Sequence, residues 1–178
     1  MKNIGFIGLG NMGSKMAVNL IKNRYTVFGY DIDEKLTNKL SKYGLSKINS
    51  LKSFANNMDV IITMLPNGDV VEDVLSIILP EIQNTPIFID SSTIDVNKSK
   101  ALNNLCLNKN INFIDAPVSG GTKGAEDGTL TFMVGGKNET FIEVNPILNC
   151  MGSKVIYCGE GGSGQATKLC NNMLLQPQ

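Results

Sequence analysis

Apolar positions along this chain follow two alternating rhythms. Short, nearly continuous apolar runs at residues 4–7, 25–30, 59–65, 86–89 and 111–114 are bounded by glycine, proline, asparagine or aspartate, as in strands buried on both faces. Between them, apolar residues recur every three or four positions, the spacing of one helix face. Residues 14–23 place Met16, Ala17, Leu20 and Ile21 together in this way, and residues 34–43, 69–78 and 95–108 also read as helices. A short strand near 47–49 and a small helix over 51–56 fill the gap before the third long run. Residues 115–136 read as a long loop or hairpin that ends in an added strand over 130–134. A helix over 139–148 and a final strand over 154–158 follow. In the last stretch, Ala166, Leu169, Cys170, Met173 and Leu174 share one helical face. Repeated strand–helix alternation predicts an α/β fold with a doubly wound, mostly parallel sheet.

Composition narrows the function. The chain has 178 residues, 42% of them hydrophobic, enough for one good core. Lysine plus arginine and aspartate plus glutamate number 16 each, so there is no basic field to hold nucleic acid or an anionic membrane. The partners expected are small molecules. No apolar run approaches the roughly 20 residues of a membrane helix, and the first strand begins too early to leave room for a targeting peptide. A soluble chain is expected, with any transit peptide lying outside this sequence. The 4 cysteines, Cys106, Cys150, Cys158 and Cys170, show neither zinc spacing nor a disulfide framework, so a reducing compartment is the expectation. Histidine is absent. That excludes His/Asp dehydrogenases, Ser-His-Asp hydrolases and histidine-ligated metal sites, and no metal is expected.

The first strand runs directly into Gly8, Gly10 and Gly13, with Leu9, Asn11 and Met12 between them, and a helix follows. In a G-x-G-x-x-G turn of this kind the first glycine permits the sharp turn, the second admits a pyrophosphate to the backbone, and the third lets helix and strand pack closely. The helix N-terminus then offers free N–H groups to the phosphates. Asp31 ends the second strand, where this Rossmann-type fold holds the adenosine ribose hydroxyls. Its charge would repel a 2′-phosphate and so favours NAD over NADP. The alternative is that Asp31 or Asp33 caps the next helix. Met64, Leu65 and Pro66 lie beyond the carboxyl end of a central strand, where they would border a cofactor. Ser92 or Thr93 would either cap the following helix or lie along the cofactor's path. Ser119, Gly120 and Gly121 open a loop whose backbone N–H groups and hydroxyl could hold a carboxylate, unless it is a plain hairpin. Lys168 and Asn172, four apart, share a helix face. A lysine in the first turn of a helix opposes the dipole, which would lower its pKa towards that of a usable base. Otherwise it is a solvated surface lysine.

The segments G-F-I-G-L-G-N-M-G, I-T-M-L-P, I-D-S-S-T-I-D, D-A-P-V-S-G-G, G-T-L-T-F-M-V-G-G and G-x-G-Q-A-x-K-L-C-N-N-M-L-L, in this order, resemble the β-hydroxyacid dehydrogenases. The resemblance covers essentially the whole chain. It implies NAD contacts from Gly8, Gly10, Gly13, Asp31, the loop at Met64, Leu65 and Pro66, and Thr93. It implies substrate contacts from Ser119, Gly120 and Gly121, a catalytic lysine at Lys168, and an amide at Asn172 that fixes substrate and lysine. The implied reaction is NAD-dependent oxidation of a β-hydroxyacid. The substrate expected is 3-hydroxyisobutyrate, an intermediate of valine breakdown, and the alternatives are tartronate semialdehyde, succinic semialdehyde or serine-like compounds.

The family continues the Lys168 helix into an all-helical second domain that closes the cleft and makes the dimer. The expectation is therefore a dinucleotide-binding domain over residues 1–162, with residues 163–178 beginning an interdomain helix. This would be a truncated chain with weak or no turnover, homo-oligomeric only when whole. The resemblance places it in the mitochondrial matrix of a eukaryote, or otherwise in the cytoplasm. A non-catalytic dinucleotide-binding module remains the alternative.

Overall fold

In the computed structural model, which describes residues 2–175, the apolar runs become strands and the helically spaced stretches become the helices between them. The order is β1 (Asn3–Ile7), α1 (Gly13–Lys22), β2 (Thr26–Tyr30), α2 (Glu34–Ser41), β3 (Ser46–Lys47), β4 (Val60–Thr63), α3 (Gly68–Ile78), β5 (Ile87–Asp90), α4 (Val96–Leu107) and β6 (Phe113–Asp115). Then come β7 (Val118–Ser119), α5 (Gly121–Asp127), β8 (Leu130–Gly135), α6 (Asn138–Leu148), β9 (Gly152–Gly159) and α7 (Ser163–Leu175). The segment expected over 51–56 is a 3₁₀ turn at Leu51–Ala55.

All nine strands among the described residues join one sheet. β3-β2-β1-β4-β5-β6 run parallel, β8 lies antiparallel to β6 and β7, and β9 pairs parallel with β8. Every residue of β4 and β5 is buried, because helices cover both faces. Ile4, Phe6, Val60, Ile62, Ile87 and Ile89 pack on one side with Met16, Ala17 and Leu20 of α1, while Ile7, Ile61 and Phe88 pack on the other with Val71, Leu75 and Leu102. The strand order reverses between β1 and β4, and in such a sheet the crevice beyond the carboxyl ends at that point is the ligand position.

Helix starts settle two of the alternatives left by the sequence. Asp33 caps α2 by accepting the Lys35 N–H, which leaves Asp31 outside the cap. Asp95 caps α4 through the Asn97 and Lys98 N–H groups, so neither Ser92 nor Thr93 fills that role. Asp95 wins because it stands immediately before the first helical residue with extended backbone, the geometry an N-cap needs. The stretch read as a long loop over 115–136 instead holds β7 and the seven-residue α5. Glycine-rich sequence conceals α5, which tertiary bonds hold in place: Asn19 Nδ2 donates to the Ala125 carbonyl at 2.8 Å, and Lys15 Nζ bonds the Thr122 carbonyl and the Glu126 carboxylate. No helix among the described residues is long and apolar enough to cross a membrane. Of the segment 163–178 expected to begin an interdomain helix, residues 176–178 lie outside the described residues.

Candidate functional site

The turn between β1 and α1 is built as its glycines require. Gly8 has φ +93°, and a Cβ there would overlap the Met64 carbonyl oxygen. At Gly10 a Cβ would meet nothing within 4 Å, so this glycine faces open space, as a backbone meant to be approached must. No side chain caps α1, and the N–H groups of Gly10, Asn11, Met12 and Gly13 have no hydrogen-bond partner among the described residues. An uncapped helix end that opens on a cavity is a ready anion cradle.

That cavity, of about 440 Å³, is lined by Gly8, Gly10, Asn11, Met12, Gly13, Asp31, Met64, Leu65 and Pro66, with Ile32, Val70 and Val74 adding apolar wall. One surface thus unites nine of the residues singled out in the sequence. Leu9 stands apart: its side chain is buried in the core, and its N–H donates to Asp31 Oδ2 at 2.6 Å. Asp31 Oδ1 accepts the Asp33 N–H at 2.9 Å, so the carboxylate ties the end of β2 to the glycine turn and remains partly exposed in the cavity wall. Thr93, Ser119, Gly120, Gly121, Lys168 and Asn172 are not among the lining residues.

The second group gathers around α7. Lys168 is half-buried, and burial lowers its pKa below the ordinary lysine value. The dipole explanation does not hold: α7 starts at Ser163, which puts Lys168 in its second turn, beyond the reach of the helix end. Ser119 at the end of β7 faces this helix, and Asn171 Nδ2 approaches its Oγ at 3.5 Å. Asn172 is exposed. Asn171, which the sequence reading passed over, is therefore the amide that meets Ser119, and the repeated asparagine in L-C-N-N was the signal available for it.

Sequence reasoning also missed what fastens α7. Asp115, at the end of β6, is fully buried and accepts the N–H groups of Gly162 at 2.7 Å and Gln165 at 2.9 Å, a long-range cap on the helix start. Burial raises its pKa against these stabilising bonds. Gln165 spans from α7 to the loop after β5, where Ser92 Oγ in turn accepts the Leu65 N–H at 2.9 Å. Asp90, fully buried, accepts from Thr63 Oγ1 and the Ser92 N–H, and burial pushes its pKa up to about 6. Among the described residues, no group of three or more Cys, Asp or Glu could hold a metal ion.

A glycine turn opening on an uncapped helix, with a carboxylate at the end of β2 and a crevice at the reversal of strand order, defines a dinucleotide-binding α/β domain. Residues 3–159 match the NAD binding domain of 6-phosphogluconate dehydrogenase, and the chain belongs to that family of NAD-binding domains. It is 46% identical to the mitochondrial 3-hydroxyisobutyrate dehydrogenase of Drosophila melanogaster over 98% of its own length and 54% of the relative's. Against the human mitochondrial enzyme of the same name the identity is 45%, over 97% of this chain and 52% of the relative. Among solved structures, the 3-hydroxyisobutyrate dehydrogenase of Mycobacterium tuberculosis with L-serine superposes with a TM-score of 0.95 at 41% identity, covering 98% of this chain and 60% of that one. The chain therefore spans about half to three fifths of the length of the relatives it matches.

Proposed function

We propose that this chain is the cofactor-binding part of an NAD-dependent β-hydroxyacid dehydrogenase that oxidises 3-hydroxyisobutyrate to methylmalonate semialdehyde. One observation carries the reading: α7 is fastened to the carboxyl ends of β5 and β6, and so holds a half-buried lysine of lowered pKa on the helix whose Asn171 meets Ser119, at the same end of the sheet as the glycine turn. A module that only bound dinucleotide would need the turn and the cavity but not this arrangement.

The cofactor would rest with its pyrophosphate on the N–H groups at Gly10, Asn11, Met12 and Gly13 and its adenosine ribose on Asp31. Met64, Leu65, Pro66 and Thr93 would lie along its length. When bound, NAD supplies the hydride acceptor. The chain's own groups do the rest. The Ser119 hydroxyl and the N–H groups of Gly120 and Gly121 receive the substrate carboxylate. Neutral Lys168 accepts the hydroxyl proton at Nζ as the carbinol carbon loses hydride, and protonated Lys168 returns it in the reverse direction. A pKa lowered by burial raises the neutral fraction available for the forward step. Asn171 and Asn172 orient the lysine and the substrate.

On this reading residues 1–162 form the dinucleotide-binding domain and residues 163–178 begin the helix that joins it to the rest of the enzyme. The working protein is a homo-oligomer in the mitochondrial matrix of a eukaryote or the cytoplasm of a bacterium. Serine is the second substrate to test, because the Mycobacterium structure at 41% identity carries L-serine. The test is NADH formation with 3-hydroxyisobutyrate, serine, glycerate and 4-hydroxybutyrate, in this chain and in a version extended to the length of its relatives. The reading expects 3-hydroxyisobutyrate to give the highest kcat/KM and NAD to be preferred over NADP. Turnover confined to another substrate would replace 3-hydroxyisobutyrate, and a preference for NADP would remove the role given to Asp31.

A further inference from the structure

We propose that Gln165 is the positioning residue for Lys168, locking the lysine helix to the loop that borders the cofactor cavity. The proposal rests on the reading of Lys168 as the base, and its geometry is independent of which β-hydroxyacid is oxidised.

Gln165 is 1% exposed and uses both ends of its amide. Nε2 donates to the Ser92 carbonyl at 2.7 Å, and Oε1 accepts the Ile94 N–H at 3.1 Å. Its backbone N–H donates to Asp115 Oδ2 at 2.9 Å. One residue thus joins α7 to the ends of two adjacent strands. From Ser92 the chain of bonds continues: Oγ accepts the Leu65 N–H, and Leu65 lines the cavity assigned to the cofactor. The approach is close, since at Gly164 a Cβ would overlap the carbonyl oxygen of Met133. Lys168 lies three residues beyond Gln165, on an adjoining part of the helix surface. Its burial, and with it its lowered pKa, depends on where this turn is held.

Glutamine suits the position because the partners are one acceptor and one donor. Alanine would leave the buried Ser92 carbonyl and the partly buried Ile94 N–H without these partners. Glutamate would aim a carboxylate oxygen at the Ser92 carbonyl, and only its protonated form could donate there while accepting from Ile94. The charged groups around the site are Asp115 on the Gln165 N–H, Asp90 on the Ser92 N–H, and Lys100 of α4, whose side chain lies against Gly162. The two carboxylates would favour the protonated form of a glutamate introduced here.

The test follows the Lys168 amine itself by NMR of ¹³C-methylated lysines, with Lys168→Arg to assign its signal and NAD affinity as the check on the cradle. In folded Gln165→Ala the Lys168 titration midpoint is expected to rise towards the ordinary lysine value by about half a pH unit or more, roughly threefold in proton affinity. NAD affinity should stay within about threefold of the parent. In Gln165→Glu the Lys168 signal is expected to match the parent at acid pH and depart from it as the introduced carboxyl ionises. This variant decides the matter if Gln165→Ala does not fold. An unchanged Lys168 midpoint in folded Gln165→Ala, or a Lys168 signal in Gln165→Glu that ignores the ionisation of the new carboxyl, would overturn the proposal. If Lys168 moves as expected while the version extended to the length of its relatives oxidises no β-hydroxyacid, the positioning stands and the assigned reaction falls. If oxidation is measured and Lys168 does not move, the positioning falls and the reaction stands.

Discussion

Two residues carry charges whose cost is set by burial. Lys168 loses part of its hydration in the fold, so its neutral form is favoured. In the oxidative direction kcat/KM is expected to rise with pH through an apparent pKa below the ordinary lysine value, and Lys168→Ala should remove that limb. The same substitution should lower turnover by roughly 10²–10⁴-fold and leave NAD affinity within a few-fold. A Lys168→Ala protein with the parent's pH–rate profile would rule the lysine out as base. Asp90 behaves in the opposite sense to a salt-bridged carboxylate. Its pKa is raised from 3.8 to about 6, so the folded state holds the proton more tightly than the unfolded chain. The stability this contributes is full below the unfolded value and is lost as pH rises through the folded one. The shift corresponds to on the order of 3 kcal/mol. An asparagine in its place cannot ionise, so in urea unfolding the stability of the parent relative to Asp90→Asn should fall by about that amount between roughly pH 4 and pH 7. A difference that stayed flat over that range would mean that Asp90 remains charged and solvated.

At the scale of elements, α7 carries the lysine proposed as base, and its start leaves no spare room. Gly164→Ala would place a methyl group against the Met133 carbonyl and the Asp115 backbone. It is expected to cost about 1–3 kcal/mol and to raise the Lys168 pKa as the helix lifts, readable by thermal unfolding and lysine titration. The strands and helices up to β6 were legible because each carries a clean period: Val60 to Thr63 is apolar throughout but for its last residue, and Met16, Ala17 and Leu20 mark one helix face. The glycine turn, Asp31 and the loop at Met64 could be placed from motif and strand order. α5 could not, because Gly121 and Gly124 speak against a helix and its long-range hydrogen bonds come from Asn19 and Lys15, over a hundred residues away in sequence. The fastening of α7 was hidden for the same reason: no spacing rule pairs Asp115 with Gly162 and Gln165. Asn171 lost to Asn172 because the four-residue rule describes faces of one helix, not the neighbour that faces it.

Across the whole molecule, exposed large apolar side chains are scattered, as at Ile32 and Ile142, except on α7, where three lie within six residues: Leu169, Met173 and Leu174 are 57%, 70% and 86% exposed. Exchanging Met173 and Leu174 for glutamine should change unfolding free energy by less than about 0.5 kcal/mol and reduce concentration-dependent association in sedimentation. A large loss of stability would mean that the pair is packed in solution. The fastenings through Asp115 and Gln165 lie at the first turn of this helix, and the bond from Asn171 to Ser119 lies further along, so α7 is held most firmly at its start. At about 1.5 Å per residue, Lys168 stands about 4.5 Å from Gln165 and Asn172 about 10 Å. A tilt of about 10° at the clamp would swing the lysine by less than about 1 Å but the asparagine by about 2 Å. A push on the far end of the helix would therefore displace Asn172 about twice as far as Lys168.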